Sequence, residues 1–247
     1  KQGPVAANRV VNDKIRYVVG PVCSGASIAA APIYNNEGVV VVTPSATSPA
    51  LTEGKNFHYI FRTIGRDDQQ GPAAAKFIAE KLKPKKVAVL HDKQSYGQGI
   101  AASVRDDLKK ANIPVALFEG INAGDSDYSA VITKLKSAGV DFVYYGGYHP
   151  EMGLLLRQAG EQGLKVKMMG PEGVGNPEVN AIAGPAVEGM LLTLPADFSA
   201  NPKNAAIVKA FKDKKRDPSG AFQLTAYAAT QVILDSIKAV GDDPAKV

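Results

Sequence analysis

Tyr148, Glu172, Tyr96, Thr47 and Ser24 are the side chains of this sequence best placed to do chemistry, because each follows a short run that reads as a strand. Tyr148 comes after Asp141–Tyr145 and the glycine pair Gly146-Gly147, and it offers an aromatic body with a hydroxyl tip. Glu172 comes after Met168-Met169-Gly170-Pro171 and presents a carboxylate. An aromatic wall beside a carboxylate suits a small ligand with an ammonium group and an apolar part. A buried unpaired charge is costly, so a carboxylate in an apolar cleft calls for a cationic partner.

Other strand ends carry hydroxyls. In Val22–Ser27, Ser24 could add a donor to the free N–H groups of a helix start, a suitable place for an anion; a plain cap with no ligand fits equally. In Thr43–Pro49, Ser45 and Thr47 can donate to a carboxylate and the Ser45 carbonyl can accept from an ammonium; the bland alternative is an ordinary Ser/Thr/Pro turn. In His91–Gly97, Tyr96 offers another aromatic wall. There the His91-Asp92 pair invites a catalytic reading, but an Asp92 that orders its own loop is the plainer one.

His149-Pro150-Glu151 hints at a metal, yet the sequence has no HExxH, no second histidine at helical spacing and no cysteine cluster. It also lacks a GxSxG elbow, a Walker sequence and a GxGxxG after a strand. Without a recognisable set of nucleophile, base and orienting group, a binding protein is expected rather than an enzyme, and no metal or cofactor.

The elements that must position these residues alternate. Strands are predicted at Arg16–Val19, Val39–Val42, His58–Arg62, Lys86–Leu90, Pro114–Phe118, Asp141–Tyr145, Lys165–Met169 and Gly189–Leu194. Helical patterns fall at Val5–Val11, Ser27–Asn35, Gln70–Leu82, Gly97–Ala111, Tyr128–Ala138, Met152–Gln162 and Pro177–Ile182, then Pro202–Lys214 and Ser219–Val240. Such alternation predicts an α/β protein with parallel sheets, whose ligands sit past the carboxyl ends of the strands. Asp127 is expected to cap one helix, Asn201-Pro202 to open another, and Gly139 and Gly163 to follow helix ends. The rhythm breaks near Thr63–Asp68 and after Leu194-Pro195, so the chain reads as two lobes: residues 1–66 with 196–247, short of strands, and residues 67–195.

With 247 residues, 45% hydrophobic and 21% charged, the chain can bury a good core. Its net charge of +5 is scattered, and the aromatics do not interleave with the basic groups Lys83–Lys86 and Lys212–Arg216, so no nucleic acid is expected as a partner. No apolar run approaches the ~18–20 residues of a membrane span. The single cysteine, Cys23, reads as a small buried hydrophobe, as half of a disulfide whose other half lies elsewhere, or as a catalytic thiolate.

At Asp141–Gly153, Met169–Gly173, His91–Gly97 and Asp217–Phe222, motifs that are long, specific and in the family's order, the chain resembles the periplasmic Leu/Ile/Val-binding family of amino-acid-binding proteins. The resemblance covers essentially all of it. It implies a two-lobed type I periplasmic-binding-protein fold, each lobe a mainly parallel sheet flanked by helices, with the chain an internal section and its first lobe incomplete. It implies capture of an amino acid between the lobes by hinge closure, delivery to the membrane subunits of an ABC importer, a periplasmic location and a monomer. It implies a partner for Cys23 just before Lys1. By position, Ser24 and Thr47 would bind the ligand carboxylate. The Ser45 carbonyl, Thr47 and Glu172 would receive the ammonium. Tyr96, Tyr148 and Phe222 would pack around the ligand side chain, with Cys23 and Ala46 near it. Family members usually have Ala where Ser45 stands, a change that the backbone role survives. Two other functions fit the same residues: an amino-acid sensor domain, or a binder of a related amino acid such as γ-aminobutyrate.

Overall fold

The computed structural model describes residues 2–247. Contacts divide the chain into two units, one formed by the residues up to Gly65 together with Pro195–Val247, the other by Arg66–Leu194.

In the first unit the strands β1 (Tyr17–Val19), β2 (Val40–Thr43) and β3 (Ile60–Arg62) form a parallel sheet in the order β1-β2-β3. Tyr17 is opposite Val40 and Val41 opposite Ile60. The central strand explains its own composition. Successive strand side chains point to opposite faces, and β2 is buried on both. Val41 packs with Ala7 of α1 (Gln2–Asn12) and Ala30, Ala31 and Tyr34 of α2 (Ser24–Asn36). Val40 and Val42 pack with Ala229 and Ile233 of α9 (Gln223–Val240). The remaining helix of this unit, α8 (Ala205–Asp213), buries none of its residues.

The second unit repeats the logic with more strands. Here β4 (Val87–His91), β5 (Val115–Gly120), β6 (Phe142–Gly146), β7 (Lys167–Gly170) and β8 (Leu191–Leu192) pair in the order β5-β4-β6-β7-β8, every pair parallel. On one face Leu90, Val143, Tyr145 and Met168 meet Ile132 and Leu135 of α5 (Ser129–Ala138), Met152 and Leu155 of α6 (His149–Glu161) and Val179 of α7 (Glu178–Ala183). On the other, Val87, Val89, Phe142, Tyr144 and Met169 meet Ala74 of α3 (Asp67–Phe77) and Ala101, Val104 and Leu108 of α4 (Ser95–Lys110). Among the described residues no helix is long and apolar enough to cross a membrane.

Several boundaries differ from the sequence expectation for local reasons. The helix expected from Ser219 begins at Gln223, because the Asp217 carboxylate takes the N–H and hydroxyl of Ser219 and closes a turn first. Asn201 does cap, accepting from the N–H of Lys203, but a short 3-10 turn follows before α8 starts at Ala205. Asp127 accepts from the N–H of Ser129 at 2.8 Å from one residue outside the cap position, which Tyr128 holds. Only Leu191–Leu192 of the run Gly189–Leu194 pairs as a strand. Gly139 and Gly163 take the left-handed conformation at helix ends, with φ of 61° and 66°.

Candidate functional site

The candidate residues form two groups, one in each unit. In the first unit, α2 starts at Ser24 after Cys23, whose extended backbone makes it the cap residue without a side-chain capping bond. The N–H groups of the first helical turn have no partner within the helix. Ser24 is buried and its Oγ accepts from the N–H of Ser48 at 3.2 Å, which joins the start of α2 to the loop after β2. A hydroxyl that accepts still has its proton to donate.

That loop is held from several sides. Thr43 Oγ1 donates to the Pro21 carbonyl at 2.7 Å and accepts from the N–H of Ala46 at 3.1 Å. Ser45 Oγ donates to the Val22 carbonyl at 3.0 Å. The single hydroxyl proton of Ser45 is thus directed to a backbone carbonyl in this structure. Ala46 is fully buried, and its methyl belongs to the cluster containing Tyr34, Val41 and Leu51. Thr47 is 2% exposed, and its Oγ1 has no hydrogen-bond partner among the described residues. An unsatisfied buried hydroxyl costs about 1–3 kcal/mol, so such atoms call for an explanation such as a ligand or a water.

One expectation for this unit changes. Cys23 is exposed rather than a buried hydrophobe. Phe222 is half-buried at the start of α9, where its carbonyl accepts from the Thr225 hydroxyl at 3.1 Å.

In the second unit Tyr96, Tyr148 and Glu172 converge. Tyr96 lies in the first turn of α4, Tyr148 is the cap residue of α6, and Glu172 opens a 3-10 turn after β7. The Tyr96 and Tyr148 rings lie 5.2 Å apart between centroids at 40°, a tilted pair. Tyr96 Oη accepts from the N–H of Gly173 at 3.2 Å and is hydrogen-bonded to the Glu172 carboxylate. Burial first, then the charge of Glu172, holds the Tyr96 hydroxyl well above the ordinary tyrosine range, so it stays a neutral donor. Glu172 is 5% exposed and also receives the side-chain amide of Gln70.

The other polar residues of these loops have structural partners. Asp92 Oδ1 accepts from the N–H of Gln94 at 2.9 Å, and His91 Nδ1 accepts from the N–H of Lys93 at 3.1 Å while its ring packs on Phe118. The pair thus orders the β4–α4 loop. His149 Nε2 meets Glu178 at 3.1 Å, and Glu151 accepts from the N–H of Gly124 at 3.0 Å. Two residues that sequence reasoning passed over matter here: Gln70, in α3, and Arg62, at the end of β3. Neither has a local signature, because each acts on loops distant in sequence.

Two helix-flanked parallel sheets, each with its candidate groups at the carboxyl ends of strands, define an α/β binding protein of the type I periplasmic kind. The chain belongs to the periplasmic binding protein family, whose pattern it matches over residues 2–247. It is 58% identical, over its whole length, to the leucine-, isoleucine-, valine-, threonine- and alanine-binding protein of Pseudomonas aeruginosa, and covers 66% of that protein. It is 51% identical to the Leu/Ile/Val-binding protein of Citrobacter freundii, covering 67%. The chain thus spans about two thirds of the length of these relatives. Among solved structures it is similar to a leucine-binding protein of Thermotoga maritima, with a TM-score of 0.91, 31% identity, and 99% of this chain and 71% of that one covered.

Proposed function

We propose that this protein is a periplasmic solute-binding protein that captures a branched-chain or other small aliphatic amino acid and delivers it to an ABC importer. The observation that carries the reading is Glu172: a buried carboxylate at a strand's carboxyl end, contacted by neutral donors, beside the Tyr96–Tyr148 ring pair. A carboxylate buried at this place suits an ammonium as its complement. The rings suit the aliphatic side chain. In the other unit Ser24 and Thr47, with the N–H groups that start α2, suit the ligand carboxylate, and the Ser45 carbonyl suits the ammonium. A ligand that needs both groups stabilises whatever arrangement supplies them together.

The names of the relatives support the ligand class, since they bind leucine, isoleucine, valine, threonine and alanine between them. Isothermal titration of the full-length protein with those amino acids and with γ-aminobutyrate tests the reading. Binding of leucine, isoleucine or valine with the tightest affinity is the expected result; no heat with any α-amino acid would sink it.

A further inference from the structure

We propose that Gln70 is the positioning residue for Glu172, and that it works as a hydrogen-bond donor whose orientation is set by Thr193. The inference rests on the reading of Glu172 as the acceptor for the ligand ammonium and adds what holds that acceptor in place.

Gln70 is half-buried in α3. Its Nε2 donates to Glu172 Oε2, and its Oε1 accepts from Thr193 Oγ1 at 2.9 Å. Chemistry alone fixes which way the amide faces. An ionised carboxylate only accepts, so the NH₂ end must face Glu172; the carbonyl end then faces Thr193, whose hydroxyl donates. The three side chains form a directed chain from Thr193 through Gln70 to Glu172. They come from three distant parts of the unit: Gln70 near its start, Glu172 after β7, and Thr193 near its end. A glutamate has three rotatable side-chain bonds, and a ligand that must find its carboxylate at one place gains from having it held there beforehand. The Tyr96 hydroxyl contacts the same carboxylate. Gln70 is the one of the two that a second side chain locks in orientation.

The informative variant is Gln70→Glu. It keeps the shape and can still accept from Thr193, but at neutral pH it cannot donate to Glu172 and sets a second carboxylate against it. Leucine affinity of the full-length protein, measured by titration at pH 7.5, is expected to fall about tenfold to a hundredfold, the range for a lost hydrogen bond to a charged group. Two facing carboxylates share a proton readily. Relative to the unaltered protein at the same pH, the variant should therefore regain affinity as the pH is lowered toward about 5, because the shared proton restores the donor. A merely structural defect has no reason to recover in acid. Affinity within about twofold of the unaltered protein at pH 7.5, or a deficit equal at every pH, overturns the proposal. If Gln70→Glu does not fold, Thr193→Val decides: several-fold weaker binding supports the proposal and unchanged binding overturns it. An unaltered protein that binds no amino acid defeats the function reading itself and this inference with it, whereas normal binding in the variants defeats the inference alone.

Discussion

Arg62 holds the turn around Thr47 through the carbonyls of the residues on either side of it. Its Nη1 donates to the carbonyl of Ala46 at 2.8 Å and to that of Ser48 at 3.1 Å, while Nη2 donates to Thr52 Oγ1 at 2.9 Å. A planar guanidinium can grip several acceptors at once, which a flexible ammonium does less well. Arg62→Met should retain the apolar stem and lose the grip. It is expected to lower stability by about 2–3 kcal/mol and to weaken leucine binding about tenfold, because the turn carrying Thr47 loosens. Urea unfolding and titration calorimetry read the two effects.

Thr47 itself separates binding from stability. Its unpartnered, buried Oγ1 is a cost to the unliganded fold, and valine has the same shape without the hydroxyl. Thr47→Val should leave stability unchanged or raise it by up to about 1 kcal/mol, while weakening amino-acid binding about tenfold or more. A variant that loses stability without losing affinity would assign Thr47 to the fold instead.

Asp92 gives a pH signature. Burial, with a further push from the nearby charge of Glu151, raises its carboxyl to about 6, against the bonding of the Gln94 N–H to the ionised form. The ordinary value is 3.8, so between about pH 4 and 6 the folded protein holds this proton more tightly than the unfolded chain does. Its contribution to stability is fully present at lower pH and is lost as the pH rises through that window. Asp92→Asn keeps an acceptor for Gln94 and has no charge to bury. At pH 8 it should be more stable by about 1–3 kcal/mol, with a flatter stability profile between pH 4 and 6. Thermal unfolding across that range is the measurement.

Two glycines of one helix should respond in opposite directions. A Cβ on Gly97 would lie 2.3 Å from Asp92 Oδ1 and 2.5 Å from the carbonyl of Gly146, so backbone would have to move beside Tyr96. Gly97→Ala should cost about 2–4 kcal/mol and weaken binding. At Gly99 nothing lies within 4 Å of the added atom, and Gly99→Ala should stabilise α4 by about 0.5–1 kcal/mol. Parallel denaturation curves compare them.

How much of this was visible in the sequence depended on whether the signal was local. Val39–Val42 announces a strand covered on both faces, and β2 is that strand, displaced by one residue. The rule that ligand groups follow strand ends picked out Ser24, Thr47, Tyr96, Tyr148 and Glu172, and the structure gathers the last three around one ring pair and one carboxylate. Hidden from the sequence were the side chains that face these loops from elsewhere. Gln70 looks like one more polar residue on a helix and Arg62 like one more charge at a strand end. Only the packing of β3 and α3 against distant loops gives them acceptors. The same holds for Ser45, whose hydroxyl finds the Val22 carbonyl across the gap between two loops.

The parallel register of both sheets also bears on how such a protein diversifies. The strands β1, β2, β4, β6 and β7 deliver their candidate groups to one end of their sheets, while turn-forming features such as the left-handed Gly139 and Gly163 sit where helices lead back to the opposite end. The residues that choose a ligand and the residues that let the chain turn are thus kept apart along each strand. Loops on the first end can be exchanged for new ones while the instructions for folding stay intact, so one scaffold can acquire many tastes.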